Sequence, residues 1–189
     1  ESIIRVNSQS GKGGIAYLLE RDFGIVMPRR LQVEFSAEVQ KVTDTTEAEV
    51  SSKELFALFE NTYLLPPVQD DVWVYHTHQI TEQNNRQVVM LTLQNGLEKV
   101  QIEGVGNGPL EAVMNALGMP IEIIHFEERS IGSGTQAKAI AVIEMMNEQG
   151  FSRHGAGIDS NITKASIKAI FSAFNRLGVR LHLESTPLT

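Results

Sequence analysis

Apolar positions recur with two periods along this chain, and the changes of period mark its parts. Residues 1 to 50 are polar and glycine-bearing, with short apolar runs at Gly14 to Leu19 and Leu31 to Phe35 that read as strands. A helix follows. Ser51-Ser52-Lys53-Glu54 has capping-box spacing, in which a serine oxygen and a glutamate three residues on satisfy each other's backbone donors, and Leu55, Leu58, Phe59 and Tyr63 then recur at helical intervals. Pro66-Pro67 stops that helix, and residues 66 to 71 form the best domain boundary in the sequence.

Beyond the boundary the pattern repeats at an offset of about 50 residues. In the first copy, Trp73 to Ile80 alternates like a strand, and Val88 to Gln94, Asn95-Gly96 and Leu97 to Glu103 read as a hairpin whose turn requires positive φ in a type I′ geometry. Gly104-Val105-Gly106-Asn107-Gly108-Pro109 then opens a helix with Leu110, Val113, Met114 and Leu117 on one face, closed by Gly118. In the second copy, Ile121 to Glu127 is strand-like, Gln136 to Met146 leads through Asn147 to Gly150 into Phe151 onward, and Gly155-Ala156-Gly157-Ile158 precedes a helix carrying Ile167, Ile170, Phe171 and Phe174, closed by Gly178. Ala137 to Met146 has helix propensity, but its place in the repeat makes it a strand.

The expected fold is therefore α+β: a duplicated β-β-β-α unit, at about 73–118 and 121–178, preceded by a small α/β segment at 1–68. A sheet with a helix on one face leaves the other face wanting a partner, so dimerisation is the default expectation.

Composition narrows the chemistry. The 189 residues are too few for a complete (β/α)₈ barrel enzyme, which needs roughly 250. The net charge of −7 opposes binding to nucleic acid or an anionic membrane surface, and Arg29-Arg30 is the one tight basic pair. No apolar run reaches the roughly 18 residues that span a bilayer, and no signal peptide opens the chain. The absence of cysteine removes disulfides and thiolate chemistry and fits a reducing, cytoplasmic setting. The start at Glu1, directly into patterned sequence, is that of a piece of a longer protein.

Candidate chemistry is sparse. His76-Thr77-His78 places two imidazoles on one face of a strand, an arrangement able to chelate a divalent metal, but no carboxylate has ligand spacing and a solvated strand face is the better reading. Gly11-Lys12-Gly13-Gly14 lacks the spacing of a phosphate loop and reads as a flexible turn, and Gly104-x-Gly106-x-Gly108 lacks that of a dinucleotide fingerprint. Histidines 125, 154 and 182 have no partners in sequence, and Ser130 to Gly134 reads as a polar loop. At Gly106-Asn107-Gly108-Pro109 a glycine turn runs into a helix N-terminus, whose free N–H groups and partial positive charge suit a carboxylate. Leu110 and Ile123 add an apolar slot beside it, the combination a branched amino acid requires; a plain strand-to-helix turn is the alternative.

The segments Val6 to Tyr17 and Pro28 to Ser36, with Gly104 to Leu110, Gly155 to Ile158 and Ile162 to Ser166, closely resemble the region after the catalytic barrel in the 2-isopropylmalate synthase family. The resemblance implies a homodimeric enzyme of leucine biosynthesis that condenses acetyl-CoA with 3-methyl-2-oxobutanoate in a metal-dependent TIM barrel and is inhibited by leucine. It implies that residues 1–68 link to a barrel absent from this chain, that 69–189 form the regulatory dimerisation domain, and that the chain alone is inactive. No cofactor is expected here; the divalent metal belongs to the barrel. Tyr17 matches a tyrosine that reaches the partner subunit's active site. Gly108, Leu110, Ile123, Phe126, Ser130, Ala137 and Ile158 match the leucine pocket, with Phe126 standing where a tyrosine is often found and Ser130 where a small apolar residue is common. Citramalate synthases use a similar domain for isoleucine, and a ligand-free dimerisation module is a further alternative.

Overall fold

A computed structural model of the chain describes residues 5–6, 11–46, 49–132 and 134–184. Asn7 to Ser10 of the N-terminal motif, and Ser133 in the Ser130–Gly134 stretch, lie outside the described residues.

The N-terminal segment is helical where strands were expected. Helix α1 spans Gly11–Phe23 and α2 spans Arg29–Thr46, so Gly14 to Leu19 and Leu31 to Phe35 are both helix, and Gly11 to Gly14 begin α1 in place of a flexible turn. The reason is visible in burial: Ile15, Leu18 and Leu19, and then Leu31, Phe35 and Val39, fall at helical intervals and are buried, whereas Val33, which completes the apparent strand alternation, is 51% exposed. Among the described residues of this segment the β content is one pair, β1 (Arg5–Val6) against β2 (Val50–Ser51). Helix α3 (Ser52–Phe59) starts as the capping box requires: Ser51 Oγ accepts from Glu54 N. It widens into a π-turn at Glu60–Leu64 before the prolines.

Two three-stranded antiparallel sheets follow. Sheet one holds β3 (Val74–Gln83), β4 (Arg86–Asn95) and β5 (Glu98–Gly106), followed by α4 (Pro109–Leu117). Sheet two holds β6 (Ile121–Ile131), β7 (Lys138–Asn147) and β8 (Ser152–Asp159), followed by α5 (Ile162–Arg176). The duplicated unit is therefore present. Its turns differ from the expectation in one respect: the β4–β5 turn residues are Gly96-Leu97, of which Gly96 alone has positive φ (62°), whereas the paired positive values of a type I′ turn occur at Asn84 (53°) and Asn85 (63°) between β3 and β4. Leucine resists the left-handed region that asparagine tolerates, which places the I′ geometry at the asparagine pair.

Strand β7 is buried on both faces. Ala139, Ala141, Ile143 and Met145 face the core shared with α4, α5 and β4, while Ile140 and Val142, with Ala156 of β8, face a second core formed by α1, α2 and α3. Covered on both sides, it reads as an unbroken apolar run, which explains its helix-like composition. On sheet one, Val89, Leu91 and Leu93 join the first core, while Val88, Met90 and Val105 on the opposite face belong to neither. Each helix presses on its preceding strand through glycine: a Cβ on Gly106 would lie 2.6 Å from Ala112 N, and one on Gly157 would lie 2.8 Å from Ala169 N.

Candidate functional site

The two repeated helices begin differently. At α5, Asn161 caps: its Oδ1 accepts from Lys164 N at 2.9 Å, and Asp159 Oδ1 accepts from Asn161 N at 2.8 Å. At α4 the cap is Gly108, in extended backbone (φ −148°, ψ 176°), with no side chain to accept a bond. Pro109 has no N–H, so the N–H groups of Leu110 and Glu111 stand at the positive end of the helix without an intrahelical acceptor. A Cβ added to Gly108 would meet nothing within 4 Å. Glu111 turns its carboxylate back to accept from Asn107 N at 2.9 Å, which partly neutralises this end.

In the second unit, a β-bulge between Ile123 and His125 brings Ile123, opposite Met145, and Phe126, opposite Ile143, onto one face of β6. Ser130, opposite Ala139, shares that face. Leu110 and Ile123 both pack on the first core, and Phe126 is 36% exposed. Ala137 is exposed at the entry to β7. Ile158 stands apart: it packs against the second core and lines a cleft of about 770 Å³ between the π-turn, the start of β3 and α5. Within one chain, Ile123, Phe126 and Ser130 thus share a face of β6, Leu110 on α4 meets Ile123 through the first core, and Ile158 is on the other side of sheet two.

Tyr17 is 54% exposed on α1, with the Arg21 guanidinium over its ring at 5.6 Å. The histidine pair does not form a chelate. A bulge at His76 breaks the alternation, and His78 shares a face with Tyr75, whose hydroxyl lies 2.6 Å from His78 Nδ1. Burial, and then Asp159, push the Tyr75 phenol up to about 12, so it keeps its proton for that bond. Among the described residues, no group of three or more His, Cys, Asp or Glu side chains is placed to hold a metal, and no helix is long and apolar enough to cross a membrane.

The polar cluster that sequence reading missed surrounds His154, which is 2% exposed. Its backbone N–H donates to Glu34 Oε1 at 3.0 Å, and its Nδ1 lies 3.4 Å from the same atom. Glu34 also accepts from the Tyr63 hydroxyl at 2.8 Å and from Arg176 Nη2 at 3.3 Å. Burial opposes ionisation of Glu34, but bonds from His154 and Tyr63 and the charge of Arg176 outweigh it and hold the carboxyl below its ordinary range. Burial likewise opposes ionisation of Glu144, and Arg30, Ser152 and His154 outweigh it. Arg30 grips Glu144 through two nitrogens, each 2.9 Å from a different oxygen. Glu34 and His154 are 120 residues apart, so spacing carried no signal; the local hint was a histidine directly before the small apolar run Gly155 to Ile158.

Comparison with known proteins bears on this geometry. Residues 49–178 match the sequence family described as the LeuA allosteric (dimerisation) domain, and residues 1–20 match the one described as alpha-isopropylmalate synthase, post-catalytic domain-like. Among curated relatives, the 2-isopropylmalate synthase of Paraburkholderia xenovorans (strain LB400) is 46% identical over 188 residues, covering 98% of this chain and 32% of that protein. Those of Parvibaculum lavamentivorans (46% over 183 residues, 95% and 32%) and Azoarcus sp. (strain BH72) (47% over 181 residues, 95% and 31%) are similar to the same extent. The chain spans about a third of the length of the curated relatives it matches.

Proposed function

The chain belongs to the LeuA allosteric (dimerisation) domain family, and from that premise we propose that it binds leucine as a feedback effector and pairs with a second copy of itself. Its place is the regulatory region of a 2-isopropylmalate synthase that joins acetyl-CoA to 3-methyl-2-oxobutanoate in a separate metal-dependent barrel. The chain alone has no turnover, and Tyr17 serves the partner subunit's active site. Residues 1–68 act as the link and 69–189 as the regulatory domain.

One observation carries the effector reading: the uncapped start of α4. Two unspent N–H donors, positive helix-end potential and open space above Gly108 suit a carboxylate, while Leu110, Ile123 and Phe126 offer apolar surface for a branched side chain. Glu111 stays bonded to Asn107 N, so the effector's ammonium group has a carboxylate within the same turn. Ser130, Ala137 and Ile158 complete the pocket when two chains pair. Inhibition follows if leucine favours one pairing or order of the domains over another, by its differential affinity for the two.

Calorimetric titration with leucine, isoleucine and valine tests this. Leucine is expected to give the tightest binding, and Gly108→Val to abolish it without loss of fold, since its φ suits any residue and its Cβ meets no atom. Tighter binding of isoleucine moves the chain to a citramalate synthase type of control; a folded dimer that gives no heat with leucine at millimolar concentration removes the effector role.

A further inference from the structure

Sheet two and α5 form one tightly packed body. Gly155 and Gly157 hold the β8 backbone directly against α5, so that a Cβ on Gly155 would lie 2.8 Å from Ala173 Cα, and no side chain lies between to adjust. The helical layer α1–α3 meets this body through Ile140, Val142 and Ala156, an apolar surface that resists separation but specifies direction poorly.

Direction comes from polar residues that converge on one carboxylate. Glu34, on α2, receives donors from three elements: Tyr63 in the π-turn, His154 on β8 and Arg176 on α5. Arg176 also lies over the Tyr63 ring at 4.6 Å and reaches Thr62 O, while Ser172 donates to Tyr63 O at 2.6 Å. Two carbonyls of the π-turn, which stand at the C-terminal end of the helix and so lack intrahelical donors, are thus taken by α5 side chains. One turn before Glu34, Arg30 holds Glu144 of β7. His154 lies between the two carboxylates, its Nδ1 3.4 Å from Glu34 and its Nε2 3.9 Å from Glu144, and Arg30 and Arg176 stand at the outer ends, so the group runs from α2 through sheet two to α5. Helix α5 in turn packs against α4, whose N-terminus is the proposed effector site, and against β3.

We infer that Glu34 is the positioning residue that keys the helical layer to α5. Displacement of α5 originating at the effector site reaches α1–α3 as an exchange of partners at this carboxylate. The inference rests on the effector reading above. Apolar contacts slide through small displacements, whereas a carboxylate with several directional, charge-assisted donors has few alternative arrangements, so the junction responds in steps.

The test uses the intact chain. Glu34→Gln keeps the shape and removes the charge; amide hydrogen exchange is followed by mass spectrometry with and without leucine, and leucine affinity by calorimetry. Without ligand, exchange in residues 11–46 is expected to rise about tenfold in the variant, while residues 138–176 stay within about twofold. With leucine, the wild type is expected to change its exchange in 11–46 and the variant to show no such change, although the two affinities agree within about threefold. Retained affinity with a lost response separates keying from general damage to the fold. If the variant does not fold, Tyr63→Phe, which deletes one donor, carries the same comparison. A leucine response in 11–46 that survives the substitution overturns the inference, as does unchanged ligand-free exchange. Should leucine give no heat with the wild type, the effector reading fails by itself, and the ligand-free comparison alone then decides the keying.

Discussion

In the first β-β-β-α unit the helix starts at a bare Gly108, and Val88, Met90 and Val105 on the outer sheet face join no core; in the second the helix starts under Asn161, and the outer face is buried beneath α1–α3. The backbone plan is the same, down to the bulge in the first strand and the glycines of the third. What differs is which polar groups and faces have been satisfied inside the chain. A duplicated unit can divide labour in this way: one copy anchors, and the other keeps its donors and surface available.

The shared part of the plan is the easiest to break. Gly104→Val and Gly155→Val both force a Cβ into the helix backbone, within 2.8 Å of Ala116 Cα and Ala173 Cα respectively, and each is expected to cost about 3 kcal/mol or more in urea unfolding. A loss below about 1 kcal/mol in either unit would show that its helix can step away from the strand, and that the two copies are not equally rigid.

Acid should separate the anchored copy from the rest. Glu34 and Glu144 both titrate below the ordinary glutamate range when folded, so their contribution is fully present above the unfolded value of roughly 4.3 and is lost as pH falls through their lower folded values. The urea midpoint is therefore expected to fall as pH drops from 5 to 3, with exchange in residues 11–46 rising first. Acidification that loosens residues 74–118 before the helical layer would contradict this.

The smallest effects concern the helix caps. Asn161→Ala removes an existing cap and is expected to cost about 1 kcal/mol, whereas Gly108→Ser supplies a missing one and should stabilise by only a few tenths of a kcal/mol. Equal and opposite shifts in melting temperature would mean that the two N-termini are equivalent, and that the bare state of α4 has no special cost.

How much of this was legible in the chain depended on how local the cause was. The repeat, the Ser51 capping box and the strand identity of β7 follow from periods and spacings within some fifty residues, and the structure contains all of them. The N-terminal helices were misread because Leu31, Val33 and Phe35 imitate a strand; the decisive fact, that Val33 faces outward while Val39 faces in, depends on where the layer docks. The bulges at His76 and Ile124 leave no compositional mark, yet they decide that Tyr75 meets His78 and that Phe126 lies beside Ile123 in projection. Glu34 and His154 meet only after three helices fold onto a sheet far along the chain.

The two-sided burial of β7 makes one strand the shared wall of two cores. Helices α1–α3 gather their own apolar residues and close that core against Ile140, Val142 and Ala156, which share a surface once β7 and β8 have paired. The contacts that close this core span more than a hundred residues, and such long-range closure is slow. Until that closure Ile140, Val142 and Ala156 are open to water, and exposed apolar strand surface of this kind favours aggregation.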